Sequence, residues 1–371
     1  MSEQQRLDHD PWDDNLAIAQ MDLAMARAGA DVARVELLEA LIDCGGSLLV
    51  YRPERDHYSV MLGRIETARH VAVLVPGVGT DVNLCTQWLP AARNLFDAAD
   101  GTSVILWKAY DEPADLFDAA ARTIGCDDGI RTAAADLTEF VRSLPLSPAQ
   151  TLTLVAHSFG STVAGAALAH HGLECTDVVV AGSPGMTVDD LRQLHLDDTH
   201  FFTEEAPGDP IAGLGIFGAE PTSPVFGGTR MATNAPDHVE VQAHSEYFAP
   251  GSESLENIVD VVTGRYDAIS AQQASMAESV GGLLALALRI PTMPVGVVAR
   301  HYRGPGFRVL VNICYLADVT ANELGNAVRE GLDSGGQGVA WLEHRLSDIG
   351  DRVRAGSGGG FPPGGGAEGT P

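Results

Sequence analysis

Leu152-Thr-Leu-Val-Ala-His-Ser-Phe-Gly160 decides how this chain is read. It predicts a buried strand that runs straight into Ser158. Beyond the serine come Gly160, Ser161, Ala164, Gly165 and Ala166, small residues that let a helix pack close under the turn. A serine on a sharp strand-to-helix turn presents its hydroxyl at the end of a sheet, where a nucleophile is needed. The pattern small-x-Ser-x-Gly is weak alone, because a chain with 41 glycines meets it by chance, and here it occurs four times. Ala355 to Gly359 lies in a Gly/Pro tail, and Ala277 to Gly281 has no strand before it. Ala181-Gly-Ser-Pro-Gly185 does follow an apolar run, Asp177-Val-Val-Val, but Pro184 has no N–H to offer a developing oxyanion. Phe159, after Ser158, keeps its N–H.

Acyl chemistry at Ser158 needs a second N–H donor, an acid and a base. His70-Val-Ala-Val-Leu-Val-Pro-Gly-Val-Gly-Thr-Asp81 reads as a strand buried on both faces, ending in a loop where Gly77 and Gly79 let the backbone approach a ligand. The N–H of Val78 is the expected partner of the Phe159 N–H in an oxyanion hole, with Gly77 lining the substrate site. The loop lacks the third glycine of a dinucleotide fingerprint and the lysine of a P-loop, which argues against nucleotide binding. After Ser158, His200-Phe-Phe-Thr-Glu-Glu-Ala-Pro-Gly-Asp-Pro210 places Asp209 just past a short strand, where a triad acid belongs; Asp189 and Asp190 are the reserve candidates. His238-Val-Glu-Val-Gln242 alternates as a last strand would, and His244 follows on the next loop, ahead of a helix opened by Ser252. His244 is therefore preferred to His238 as the base. Tyr110 and Asp111, after another strand end, and Tyr247 are expected at the substrate.

With those segments in view, the chain resembles the actinobacterial α/β-hydrolase family of formerly uncharacterised domains. The matching motifs are Val75-Pro-Gly77, Trp107-Lys-Ala-Tyr-Asp-Glu-Pro113, His157-Ser-Phe-Gly-Ser161, Ala181 to Gly185 and His244-Ser-Glu-Tyr247, within roughly residues 45 to 262. Two positions depart from the family pattern: Ala156 stands for the first glycine of the elbow, and Ala243 for the glycine before the histidine. The resemblance implies a Ser-Asp-His hydrolase of unassigned substrate, made of Ser158, Asp209 and His244. The expected fold is a mostly parallel sheet flanked by helices, with helical N- and C-terminal extensions.

Composition bounds the remaining choices. The charge of −27, from 50 acids against 23 bases with Lys108 the only lysine, makes nucleic acid and anionic membrane poor partners. Five cysteines without Cys-x-x-Cys or Cys/His spacing imply neither a disulfide framework nor a zinc site, and no cofactor is expected. Met1 to Asp8 lacks a basic and then apolar leader, so a cytoplasmic product is expected. The apolar window from Val280 to Val298 is interrupted by Arg289, Pro291 and Pro294 and is not read as a membrane span.

Four regions follow. Residues 1–46 form an arm, with one helix expected over 14 to 43. Residues 47–265 form the hydrolase domain, entered by an antiparallel pair, Ser47 to Tyr51 and Tyr58 to Leu62. Residues 266–355 turn helical around one β-like run, Arg308 to Tyr315, and 356–371 is a low-complexity tail expected to be disordered. The stretch Asp209 to Asp237, rich in glycine around Ile211, Leu214, Ile216 and Phe217, is expected to form a mobile rim or lid suited to an aliphatic acyl chain.

The reading is a serine hydrolase acting on a small-molecule acyl ester, in the manner of a carboxylesterase or lipase. The alternatives are an acyltransferase with the same triad, or a non-catalytic scaffold that meets a homo-oligomeric or protein partner through its helical extensions.

Overall fold

In a computed structural model of the chain, the described residues are 13–78, 87–113, 119, 129–206, 209, 211–212, 215–241 and 243–272. The expectations for residues 273 to 371, for Cys85 and Cys126, and for most of the stretch after Pro113 lie outside them.

The apolar runs become strands: β1 (Ser47–Arg52), β2 (His57–Leu62), β3 (His70–Val75), β4 (Thr102–Lys108), β5 (Thr151–His157), β6 (Asp177–Ala181), β7 (Phe201–Glu204) and β8 (Thr229–Arg230). They form one sheet in the order β1-β2-β4-β3-β5-β6-β7-β8. The pairs β1/β2 and β2/β4 are antiparallel, and every pair from β4 to β8 is parallel. The parallel strands therefore deliver Val75, His157, Ala181 and Glu204 to the same edge. Strands β3 and β4 are apolar almost throughout because helices cover both of their faces.

The helices are α1 (Asp13–Ala28), α2 (Val32–Asp43), α3 (Leu89–Ala98), α4 (Gly129–Ser143), α5 (Phe159–His171) and α6 (Glu253–Val262). On one face Leu137 of α4 and Val163 of α5 join a core with Val73, Ile105 and Leu154. On the other, Leu38 and Leu41 of α2, Leu95 of α3 and Ile258 of α6 join Leu74, Val155 and Val179. The N-terminal helices thus share the core of the sheet. Asn15 of α1 also donates its side-chain amide to the carbonyls of Leu48 and Leu49 on β1, both at 3.0 Å, where the β1/β2 register slips.

Two expectations need correction. The single helix over 14 to 43 is two helices, because Ala30 takes a left-handed conformation (φ 55°) and the Asp31 carboxylate accepts the Arg34 N–H at 3.1 Å, capping a new start. Of the strand expected over 238 to 242, the described residues 238 to 241 form only one bridge, Val239 to Ser252. The Asn234 side chain accepts the Val241 N–H and donates to the Val241 carbonyl, so the backbone groups a ladder would use are taken. The eighth strand is instead the two-residue β8.

Candidate active site

Ser158 sits between the end of β5 and the first residue of α5 with φ 54° and ψ −131°. A non-glycine residue in this region costs on the order of 1 to 3 kcal/mol, so its surroundings must hold it there. The Ser158 N–H donates to the Ala181 carbonyl at 3.0 Å, and the Ser158 carbonyl accepts the Ser161 N–H at 2.9 Å. That carbonyl also accepts the Ser161 hydroxyl at 2.5 Å, and Ser161 Oγ lies 2.6 Å from Ser183 Oγ. One hydroxyl carries one proton: Ser161 gives its proton to the carbonyl, Ser183 donates to Ser161, and the Gly185 N–H satisfies Ser183 at 3.1 Å. The rival motif at 181 to 185 is thus a buttress of the elbow.

The β3 loop closes on the serine from the other side. A Cβ on Gly77 would lie 2.6 Å from Ser158 Cβ, 3.0 Å from its Oγ and 3.2 Å from the Phe159 nitrogen, so only glycine fits. Gly160 is equally constrained, since a Cβ there would run into the carbonyls of Val75 and Pro76. Among the described residues, the N–H groups of Phe159 and Val78 have no acceptor.

Asp209 and His244 meet beyond β7. His244 Nδ1 lies 2.8 and 2.9 Å from the two Asp209 oxygens. Oδ1 also accepts the Ile211 and Ala212 N–H groups, at 2.8 and 3.2 Å, and Oδ2 accepts the Tyr247 phenol at 2.6 Å. Burial alone would raise the Asp209 carboxyl, but these bonds and the His244 charge outweigh it and hold the carboxyl down at about 2. Asp209 is an anion whose partners orient the imidazole. Its side chain is wholly buried, while that of His244 keeps 26% exposure toward solvent.

His157 ties this pair to the serine's strand. Its Nε2 donates to the His244 carbonyl at 2.6 Å, and the two rings are 4.5 Å apart. Burial first, and then the neighbouring His244, push the His157 imidazole down to about 3, so it stays neutral. No hydrogen bond joins Ser158 Oγ to His244 in this structure; proton-transfer contacts of this kind often close only with substrate bound.

The remaining expected residues fall differently. Tyr247 is fully buried, giving its phenol proton to Asp209 and accepting the Ala206 N–H at 2.9 Å; it braces the Asp209 carboxylate from within the core. Tyr110 is buried too, its hydroxyl donating to the Pro76 carbonyl at 2.9 Å, so it supports the loop behind Gly77. Asp111 is turned outward onto Arg55 and His57, at 2.5 and 2.8 Å. His238 pairs with Glu256 at 2.7 Å, and Asp190 caps the turn at Arg192. The described part of the glycine-rich rim is stitched down: the Phe217 N–H donates to the Pro184 carbonyl, and the Ala219 N–H to the Val188 carbonyl, both at 3.0 Å. Phe217 packs edge-on to Phe159 at 5.5 Å, so of the expected rim or lid the described part forms a packed rim. Sequence reasoning passed over His157, Ser161 and Ser183 as site residues, although all three stand inside quoted motifs. Among the described residues no cluster of three or more His, Cys, Asp or Glu could hold a metal ion, and no helix is long and apolar enough to cross a membrane.

A family profile for alpha/beta hydrolases matches residues 54–219, from the β1–β2 turn to the rim. The sheet order and the matched segment agree on an alpha/beta hydrolase fold. The chain is 29% identical over 295 residues to the uncharacterized protein Rv2079 of Mycobacterium tuberculosis, with 67% of this chain and 44% of the relative covered. The uncharacterized protein Mb0988c of Mycobacterium bovis is 29% identical over 202 residues, with 49% and 73% covered. The chain therefore spans less than half the length of the first of these relatives. Among solved structures, a predicted CIB-like hydrolase from Thermoplasma acidophilum aligns with a TM-score of 0.38 at 13% identity, covering 59% of this chain and 100% of that one. A carboxylesterase from Mesorhizobium loti aligns with a TM-score of 0.36 at 15% identity, covering 59% and 99%.

Proposed function

We propose that this alpha/beta hydrolase is a serine hydrolase that cleaves a carboxylic ester through an acyl-enzyme, with Ser158 as nucleophile, His244 as base and Asp209 as its orienting acid. The observation that carries the reading is Ser158 held in a strained elbow at the sheet edge to which His157 tethers the Asp209–His244 pair. His244, with its Nδ1 proton committed to Asp209, has Nε2 free to take the Ser158 proton as Oγ attacks the acyl carbon. The carbonyl electrons move onto oxygen, where the Phe159 and Val78 N–H groups are the donors for the oxyanion. Return of the proton from His244 to the leaving alkoxide releases the alcohol. Water, deprotonated by the same imidazole, then frees the acid and restores Ser158. Apolar Val78, Phe159, Ile211 and Phe217 around this edge favour an aliphatic acyl group.

The test is covalent labelling by a fluorophosphonate probe, read by intact mass, on wild type, Ser158→Ala and His244→Ala. One adduct on wild type, lost from both variants, is the expected result. A folded wild type that takes no label, or a Ser158→Ala protein that labels at the wild-type rate, overturns the assignment.

A further inference from the structure

Glu204, the last residue of β7, is a carboxylic side chain with no exposure, placed on the face of the sheet covered by α6. Its backbone pairs with Ala181 and its carbonyl accepts the Gly182 N–H at 3.1 Å, so it stands directly behind the edge where Ser158 and Asp209 lie. Its Oε1 is buried with no hydrogen-bond partner, and among the described residues no cation faces it. An ionised carboxylate left in that state would be very costly.

The hydrogen-bond directions give the same answer. Ser254 Oγ lies 2.5 Å from Glu204 Oε2 and 2.9 Å from the carbonyl oxygen of Tyr247. The hydroxyl has one proton for two acceptors; with the carboxyl un-ionised, as its unpartnered Oε1 requires, the acid's own proton fills the 2.5 Å contact and leaves the Ser254 proton for the Tyr247 carbonyl, so both contacts are satisfied. Burial, with the nearby Glu253 carboxylate adding to it, holds the Glu204 carboxyl well above the usual range, in agreement with this count of protons.

We infer that Glu204 is a positioning residue of the proposed triad: as an un-ionised acid it donates to Ser254, which donates to the Tyr247 backbone, fixing the tyrosine whose phenol holds Asp209. The inference rests on the triad reading above. It assigns a role to a buried acid that touches neither Ser158 nor His244, and it accounts for Tyr247 being gripped at its carbonyl, at its hydroxyl by the Ala206 N–H, and through its own bond to Asp209.

The experiment compares Glu204→Gln, which keeps a donor toward Ser254 and cannot ionise, with Glu204→Met, which fills the volume without a donor. Both are made in the full chain, and the readouts are fluorophosphonate labelling rate, melting temperature and the infrared band of a protonated carboxyl. Gln is expected to label within about threefold of wild type and Met about tenfold or more slowly, because small displacements of a catalytic group are costly in rate. The Met protein should melt no lower than wild type, since an apolar side chain replaces a buried polar one. The protonated-carboxyl band should be present at neutral pH in wild type and missing from Gln. Met labelling as fast as wild type, Gln falling as far as Met, or the absence of the band overturns the inference while leaving the triad standing. A wild type that takes no label overturns the triad and this inference with it.

Discussion

Asp209→Asn is the substitution whose consequences the structure specifies most fully. Oδ1 accepts the Ile211 and Ala212 N–H groups, so the asparagine oxygen must take that place. The NH2 group then replaces Oδ2, which now accepts from His244 Nδ1 and from the Tyr247 phenol. The shorter His244 contact then faces a donor, and the Nδ1–H keeps only the 2.9 Å contact to an Oδ1 that already accepts two N–H groups, so the Nε2–H tautomer, which cannot accept a proton from Ser158 in the proposed reaction, is favoured. In a comparable triad this tautomer error costs about four orders of magnitude in rate. The stability effect has a defined pH window. Asp209 sits at about 2 in the folded chain against an ordinary 3.8, which corresponds to on the order of 2 kcal/mol at neutral pH. Because the folded value is the lower one, this contribution is complete above about pH 4 and is lost as pH falls toward 2. Wild type should therefore be the more stable by that amount at neutral pH, and the two proteins should converge near pH 2, where a protonated Asp209 is as neutral as the amide. Labelling kinetics by intact mass measure the first effect, and urea unfolding from neutral pH down to about 2 the second. An Asp209→Asn protein that labels within about tenfold of wild type, or a stability gap unchanged over that whole pH range, would refute the reasoning.

Gly77→Ala places a methyl carbon 2.6 Å from Ser158 Cβ and should slow labelling by about 100-fold with little loss of melting temperature, because the clash falls on the loop and the proposed nucleophile. His157 is held at about 3, far below its unfolded value near 6.5, so below that pH the unfolded chain binds a proton that the folded chain refuses. Stability should fall as pH drops from 6.5 toward 3, and His157→Gln should flatten that part of the urea-midpoint profile. Leu38→Ala removes a fully buried side chain from the contact between α2 and the sheet and should cost about 2 to 4 kcal/mol in urea unfolding, showing that the N-terminal helices belong to the cooperative unit.

Much of the parallel sheet was legible because strands buried on both faces write themselves as apolar runs: Val71 to Val75 and Leu152 to Val155 could hardly be surface. The elbow was legible because Ser158 follows such a run and small residues follow it. Single residues outside that code were misread. Val239 and Val241 alternate as a strand would, yet the side chain of Asn234, a little earlier in the chain, claims the backbone groups of Val241 that would pair. Ala30 carries no mark of a helix break beyond Gly29 and the capping Asp31 around it. Tyr247 looked like a substrate contact because it lies so close to His244 in the chain, whereas its ring points into the core. Glu204 ends a strand beside Glu205 and reads as the start of a polar turn; only the tertiary position of Ser254, 50 residues later, shows that it is buried.

The amide of Asn15 on β1 has a consequence for how the chain behaves in company. A sheet's outer strand is a template on which another chain can add, and the usual defence is to occupy its free carbonyls or shorten it. Here one border of the sheet has the Leu48 and Leu49 carbonyls already engaged by Asn15, and the other is the two-residue β8, whose Arg230 carbonyl accepts the Gln272 N–H. Part of each border is thus engaged by a segment that flanks the domain in the chain. Trimming such a protein to residues 47–265 would free those carbonyls on both borders at once, and the shortened product should be more prone to strand addition than its parent.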